Sequence, residues 1–240
     1  MCSLTKHGKV LVLEFLGTGD HRLSPALFTE IMNQLEVVNS SEDVGALVTT
    51  NQGKFYCNGL DLEWVNVNTA ERGPILYRKF EELLLAMLNV KVPTVAAICG
   101  HAAAGGLALA MAHDYRFMRA DRGFLYSGAL DVNVAVPSGS LELMASKMTP
   151  RVYRDVVLKC MKFTGKMALE NELVDSLHDD PAQTLEAAIK EAELLAARNW
   201  DKKVYSSIRR TMFSRFVVLS PDFAWIGTTD ADNEGWFMVQ

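Results

Sequence analysis

The chain has 240 residues, with 24 Lys plus Arg against 29 Asp plus Glu and a formal net charge of −5. Apolar residues at 49% and charged residues at 22% fit a globular chain with a sizeable core and exclude wholesale disorder. A mildly acidic balance without a basic tract excludes the phosphate neutralisation that nucleic-acid binding needs, and no apolar run approaches the ~20 residues of a membrane span.

In chain order, the first predicted element is a strand over Val10–Phe15, stopped by Gly17, Thr18 and Gly19. Pro25 opens a helix in which Leu27, Ile31, Leu35 and Val38 recur at steps of three and four. Residues 46–50 read as a short apolar strand closed by Asn51, Gln52 and Gly53. A helix over about 77–89 places Phe80, Leu83, Leu84, Met87 and Leu88 on one face. Thr94–Ile98 reads as a strand, Gly105 and Gly106 start a small-residue helix over 107–113, and 114–118 follow as another strand. Strand, helix and strand at this pitch predict right-handed crossovers and a mainly parallel sheet, so the fold class is α/β.

Beyond Pro137 the pattern turns helical. Residues 151–161 carry Val152, Val156, Val157 and Met161 on one side. Asp180, Pro181 and Gln183 have the order of a capping box, followed by a stripe of Leu185, Ile189, Ala192 and Leu195. Asp201 caps a last helix in which Val204, Ile208 and Met212 share a face. Residues 1–180 are therefore predicted as the α/β core and 181–240 as a helical extension, to which the resemblance described below assigns oligomer formation.

The four cysteines are far apart with no CxxC pair, and read as reduced intracellular thiols. The five histidines show no HExxH or HxH spacing, so no metal site is expected. The N-terminal residues lack the layout of a secretory signal. The segment 100–106, GHAAAGG, lacks the Lys of a phosphate-binding loop and the GxGxxG of a dinucleotide site. What remains is a tight turn whose amides open a helix, which suits either close helix–sheet packing or an oxyanion. The segment 54–62, with its Asn58-Gly59 turn, is a second loop after a strand. Two such loops at the carboxyl edge of one parallel sheet would converge on a carbonyl oxygen that gains negative charge.

Residues 54–62, Pro93 with Thr94 to Ala97, Gly100 to Gly106, and His113-Asp114-Tyr115 together resemble the crotonase (enoyl-CoA hydratase/isomerase) superfamily. They follow its KxFxxGxDL and PxxAAxxGxxxGGG-type segments in order and separation. Met1 to Leu4, Asp20-His21-Arg22 and residues 121–126 are similar to the plant peroxisomal Δ3,Δ2-enoyl-CoA isomerase branch. The resemblance spans roughly residues 1–215. It implies a crotonase-type spiral of ββα units with a helical C-terminal region, assembled as a homotrimer or dimer of trimers. It implies an acyl-CoA thioester as ligand, with coenzyme A part of the substrate and no separate cofactor. It also implies that the backbone amides of Leu60 and Gly105 receive the thioester oxygen.

The acid–base positions depart from that pattern. Hydratases of the family place one Glu two residues beyond the glycine triplet, where this chain has Ala108. The isomerases keep a second Glu, eight residues before a proline. Here Tyr126 to Asp131 reaches Pro137 at unchanged spacing, so Ala129 stands in that glutamate's place. A positioned acid–base group typically contributes about 10²–10⁴ in rate, so an isomerase with Ala129 is expected to be weak or inactive. The substitution is either introduced, compensated by another base, or a mark of lost activity. Asp131, Glu142, His101 and Cys57 are considered as replacements, and none has a strong case.

The resemblance further places Leu130 and Val136 against the acyl chain; Trp64, Tyr77 and Leu83 are weighed for the same role and read as ordinary core. Lys54 or Arg22 would meet the phosphates of coenzyme A, while His21 and Asp114 read as structural. A peroxisomal location is implied, although residues 236–240 do not form the tripeptide of that branch, which leaves the cytoplasm as the alternative. The rival reading is a non-catalytic or repurposed relative that binds a specialised CoA thioester or a protein partner.

Overall fold

The computed structural model describes residues 1–219. The tail 236–240 and the end of the predicted extension lie outside the described residues. The chain begins with a β-hairpin, β1 (Cys2–His7) and β2 (Val10–Phe15), followed by helix α1 (Pro25–Ser40). Ser24 caps α1 through its side chain, which accepts from the Leu27 amide at 3.3 Å, and Pro25 pre-sets the first turn. The strand β1 carries no strong apolar alternation, which is why only β2 is legible in the sequence.

Three ββα units follow, each with one strand in a large sheet and the next in a small one. The first is β3 (Ala46–Asn51), β4 (Phe55–Cys57) and the helices α2 (Leu62–Asn66) and α3 (Thr69–Leu88). The second is β5 (Thr94–Ile98), β6 (His101–Ala103) and α4 (Gly105–Met111). The third is β7 (Tyr115–Arg119), β8 (Leu125–Tyr126) and α5 (Ser138–Lys147). The helix predicted from about Tyr77 begins earlier, at Thr69, because Gly73 and Pro74 obscure the apolar period of its first two turns.

The C-terminal part contains α6 (Pro150–Leu158), α7 (Gly165–Glu170), β9 (Ser176–His178), α8 (Pro181–Ala196), α9 (Lys202–Met212) and α10 (Ser214–Leu219). The six-stranded sheet has the order β1-β2-β3-β5-β7-β9, parallel except for its first pair. The second sheet, β4-β6-β8, is wholly parallel. Val12, Val48, Val95 and Ala97 on one face of the large sheet meet Ala188, Ala192 and Ala196 of α8. The opposite face, with Leu13, Leu47, Ala96 and Ile98, belongs to the main core with α1, α3 and α4. The Asp180 side chain accepts from the Gln183 amide at 2.9 Å, while the Gln183 side chain donates to the other Asp180 oxygen at 3.2 Å.

In α9 the stripe of Val204, Ile208 and Met212 faces outward, each more than half exposed. The helix is seated instead by Arg209, buried and donating to the carbonyls of Met87 and Val90 at the end of α3. Its Nε forms an ion pair with Asp114 Oδ1 at 3.0 Å. Asp114 also accepts from Thr94 and from the Tyr205 hydroxyl, which gives it a structural role. His21 is likewise occupied, donating from Nδ1 to the Phe55 carbonyl at 2.6 Å.

Candidate active site

The two loops expected to converge do so, but they leave the small sheet rather than the large one. The 58–61 loop follows β4, the Ala104–Gly105 turn follows β6, and a third segment, 127–136, follows β8. Strands of two or three residues are too short to leave a periodic trace, so the sequence assigns these loops to β3 and β5. Because the sheet is parallel, all three segments emerge at the same edge.

Packing fixes the first two segments against one another. Gly59 has φ of +78° and faces the glycine turn: a Cβ there would lie 2.9 Å from Ala104 Cβ and 3.2 Å from the Gly105 nitrogen. A Cβ on Gly106 would overlap the Cys57 carbonyl oxygen. Close packing, one of the two readings left open for this turn, therefore applies, and it brings Leu60 and Gly105 to the wall of one cavity. The amides of Leu60 and Gly105 donate to no other group among the described residues. Two main-chain donors on one wall suit an oxygen whose charge grows during reaction. Between them Ala104 holds φ +48° and ψ −120°, a conformation that an L side chain rarely adopts.

The cavity has a volume of about 290 Å³ and is mostly apolar, walled by Leu62, Tyr77, Phe80, Val132, Val134, Val136 and Met144 together with Ala108 and Ala129. Ala129 is only 8% exposed, and it and Ala108, the two positions that the resemblance aligns with glutamates, both line this space. Val136 lines the cavity. Leu130 does not: it is 55% exposed and absent from the wall. Gly128 turns the chain at φ +66° and Leu130–Val132 form a 3₁₀ turn, which leaves Leu130 exposed while Val132 and Val134 line the cavity. Tyr77 lines the wall and donates to the Ala135 carbonyl at 3.3 Å, whereas Leu83 lies in the core and Trp64 packs under the Arg72 guanidinium.

Polar groups at the wall are few. Arg22 is paired with Asp20 at 3.1 Å and Glu63 at 2.8 Å, and Asn58 donates to the same Asp20 oxygen at 3.1 Å. Lys54 lies over the Phe55 ring and does not reach the cavity. Burial pushes the Tyr77 and Tyr126 hydroxyls up, toward the neutral form. None of the considered replacement bases is on the wall: Asp131 is exposed, Glu142 pairs with Arg215, and His101 stacks on Phe124. Burial pushes the Cys57 thiol up to about 12, so it holds no thiolate for attack.

One pair escapes sequence reasoning. Ser140, fully buried in the first turn of α5, lines the cavity and donates to Glu81 Oε1 at 2.6 Å. Glu81 lies on α3, 59 residues away and 1% exposed, in the middle of an apolar helix face. Only the packing of α5 on α3 unites them. The signal available beforehand was a charged residue amid that apolar face.

Residues 20–214 match the family model for enoyl-CoA hydratase/isomerase. The chain is 36% identical over 221 residues to the peroxisomal enoyl-CoA delta isomerase 1 of Arabidopsis thaliana, covering 91% of this chain and 92% of that one. Enoyl-CoA delta isomerase 3 of the same plant is 37% identical over 221 residues, with 89% and 92% covered. The probable enoyl-CoA hydratase EchA3 of Mycobacterium tuberculosis H37Rv shares the fold, with a TM-score of 0.84 at 22% identity over 92% of this chain and 91% of that one. The chain belongs to the enoyl-CoA hydratase/isomerase family and has the crotonase fold.

Proposed function

We propose that this family member binds an acyl-CoA thioester and acts as an enoyl-CoA isomerase, shifting a 3-enoyl double bond to the 2-position through a dienolate. The observation that carries the reading is the pair of free amides, Leu60 and Gly105, on the wall of one apolar cavity. A single such donor is worth roughly 3–4 kcal/mol in other enzymes, because it meets charge present only in the transition state. The apolar wall from Val132 to Val136 suits an acyl chain, and Arg22 with Asn58 suits the polar part of the thioester. Coenzyme A arrives with the substrate, so the chemistry needs no resident cofactor. Assembly as a trimer, a peroxisomal place in fatty-acid β-oxidation and the helical extension as oligomer contact are part of the same proposal. Likeness to the peroxisomal plant isomerases supports it.

Ala129 limits the rate in this reading. The test is conversion of 3-hexenoyl-CoA to its 2-enoyl isomer by the native chain and by Ala129→Glu, with binding followed by calorimetry. A glutamate at this wall position is expected to raise turnover about a hundredfold or more. Absence of both binding and turnover in the two proteins overturns the isomerase reading. Tight binding with turnover in neither favours the second reading, a thioester binder without catalysis, which the alanines at 108 and 129 support.

A further inference from the structure

We propose that Ser140 is the catalytic proton carrier of this cavity and that Glu81 is its positioning residue, together taking over the work for which Ala129 lacks a side chain. The inference rests on the isomerase reading above. Ser140 is the wall group joined directly to a buried carboxylate: its hydroxyl donates to Glu81 Oε1 at 2.6 Å, and both residues are shut off from bulk water. The carboxylate is held in place from a second side as well. Its Oε2 occupies the space a Cβ on Gly139 would take, so the first turn of α5 closes over it. Carboxylate charge beside a helix N-terminus is favoured by the orphan amides of that turn. Ser140 shares the wall of this one cavity with Leu60, Gly105 and Ala129.

The transfer is balanced within the pair. A proton leaves C2 of the 3-enoyl thioester for Ser140 Oγ while the Ser140 hydroxyl proton moves to Glu81 Oε1. The C2–H electron pair enters the conjugated system and ends on the thioester oxygen, facing the Leu60 and Gly105 amides. In the return step Ser140 gives a proton to C4 and recovers one from Glu81, and the electrons close the C2–C3 double bond. The enzyme ends as it began. A hydroxyl alone is a poor acceptor for a carbon-bound proton, which is why the carboxylate behind it is essential.

The test separates this assignment from the isomerase reading by using a saturated thioester, whose C2 protons can exchange but not isomerise. Exchange of hexanoyl-CoA C2 protons in D₂O is followed by NMR, with its Kd measured in parallel, for the native chain, Ser140→Ala, Glu81→Gln, the double variant and Ser140→Ala with Ala129→Glu. Each single variant is expected to slow exchange about a hundredfold while the Kd stays within about threefold. The double variant is expected to match the singles, as residues acting as one unit do, and Ala129→Glu to restore exchange in the Ser140→Ala background. A purely structural role would instead weaken binding and leave nothing for Ala129→Glu to rescue. Exchange in Ser140→Ala within about threefold of native overturns the assignment, as does native protein that binds hexanoyl-CoA but exchanges nothing; both leave the thioester site standing. Failure of every variant to bind hexanoyl-CoA overturns the assignment and the isomerase reading together.

Discussion

The glycine turn at 100–106 and the wall segment at 127–136 border the same cavity under opposite rules. Around the turn, main-chain atoms do the work and neighbouring backbone leaves no space: Gly100 and Gly106 would each drive a Cβ into a carbonyl of the segment 54–57. On the wall, side chains face the cavity, and the chain is a glycine turn and a 3₁₀ turn with partly exposed residues. The Leu60 and Gly105 amides are thus fixed by close backbone packing, while the wall side chains at 127–136 are less tightly enclosed. A substitution on the wall is expected to spare the scaffold, and one in the glycine turn to disrupt it.

The largest effect expected from this contrast is at Gly106. Gly106→Ala forces a methyl into the Cys57 carbonyl and should cost at least about 3 kcal/mol, read as a lowered denaturant midpoint at unchanged m. A cost below about 1 kcal/mol would mean the turn can yield, and the contrast would be lost.

A smaller effect comes from His113, just beyond α4. It is buried with Nδ1 donating to the Leu109 carbonyl and Nε2 accepting from Thr49, and burial pushes it down to about 3. Unfolded, it takes a proton near pH 6.5 that the folded protein refuses, so its contribution to stability is intact above 6.5 and lost as pH falls toward 3. Denaturation at pH 6.5 and 5 should differ by about 2 kcal/mol from this group, and His113→Gln should flatten that slope.

Ala104→Gly sharpens the same side in the opposite direction. Relief of φ +48° should stabilise the protein by about 1 kcal/mol, seen as a rise in Tm. On the wall, Asp131→Asn is expected to shift stability by no more than about 0.5 kcal/mol and leave turnover unchanged, since Asp131 is exposed and off the cavity. A large drop in turnover would return Asp131 to candidacy as the base.

The two regions also differ in how far the sequence discloses them. Glycines packed against backbone announce themselves, and β3 and β5 of the large sheet are buried throughout and carry the short apolar runs 46–48 and 95–98. The small sheet is hidden because two or three residues cannot show a period. Leu130, which the resemblance sets against the acyl chain, lies off the cavity wall, just beyond the left-handed turn at Gly128. Glu81 and Ser140 meet only after two helices pack, and nothing local to either residue marks the other.

The small sheet has one more consequence. Its strands are three, three and two residues long, yet each hands the chain to one part of the cavity: Leu60 after β4, Gly105 after β6, Ala129 after β8. Because they are consecutive neighbours, a tilt or slide of this sheet carries the three segments as a set, and the displacement is common to all of them. It cancels in their mutual spacing. The cavity therefore behaves like instruments bolted to one small plate, where vibration of the larger frame moves the assembly without changing its alignment.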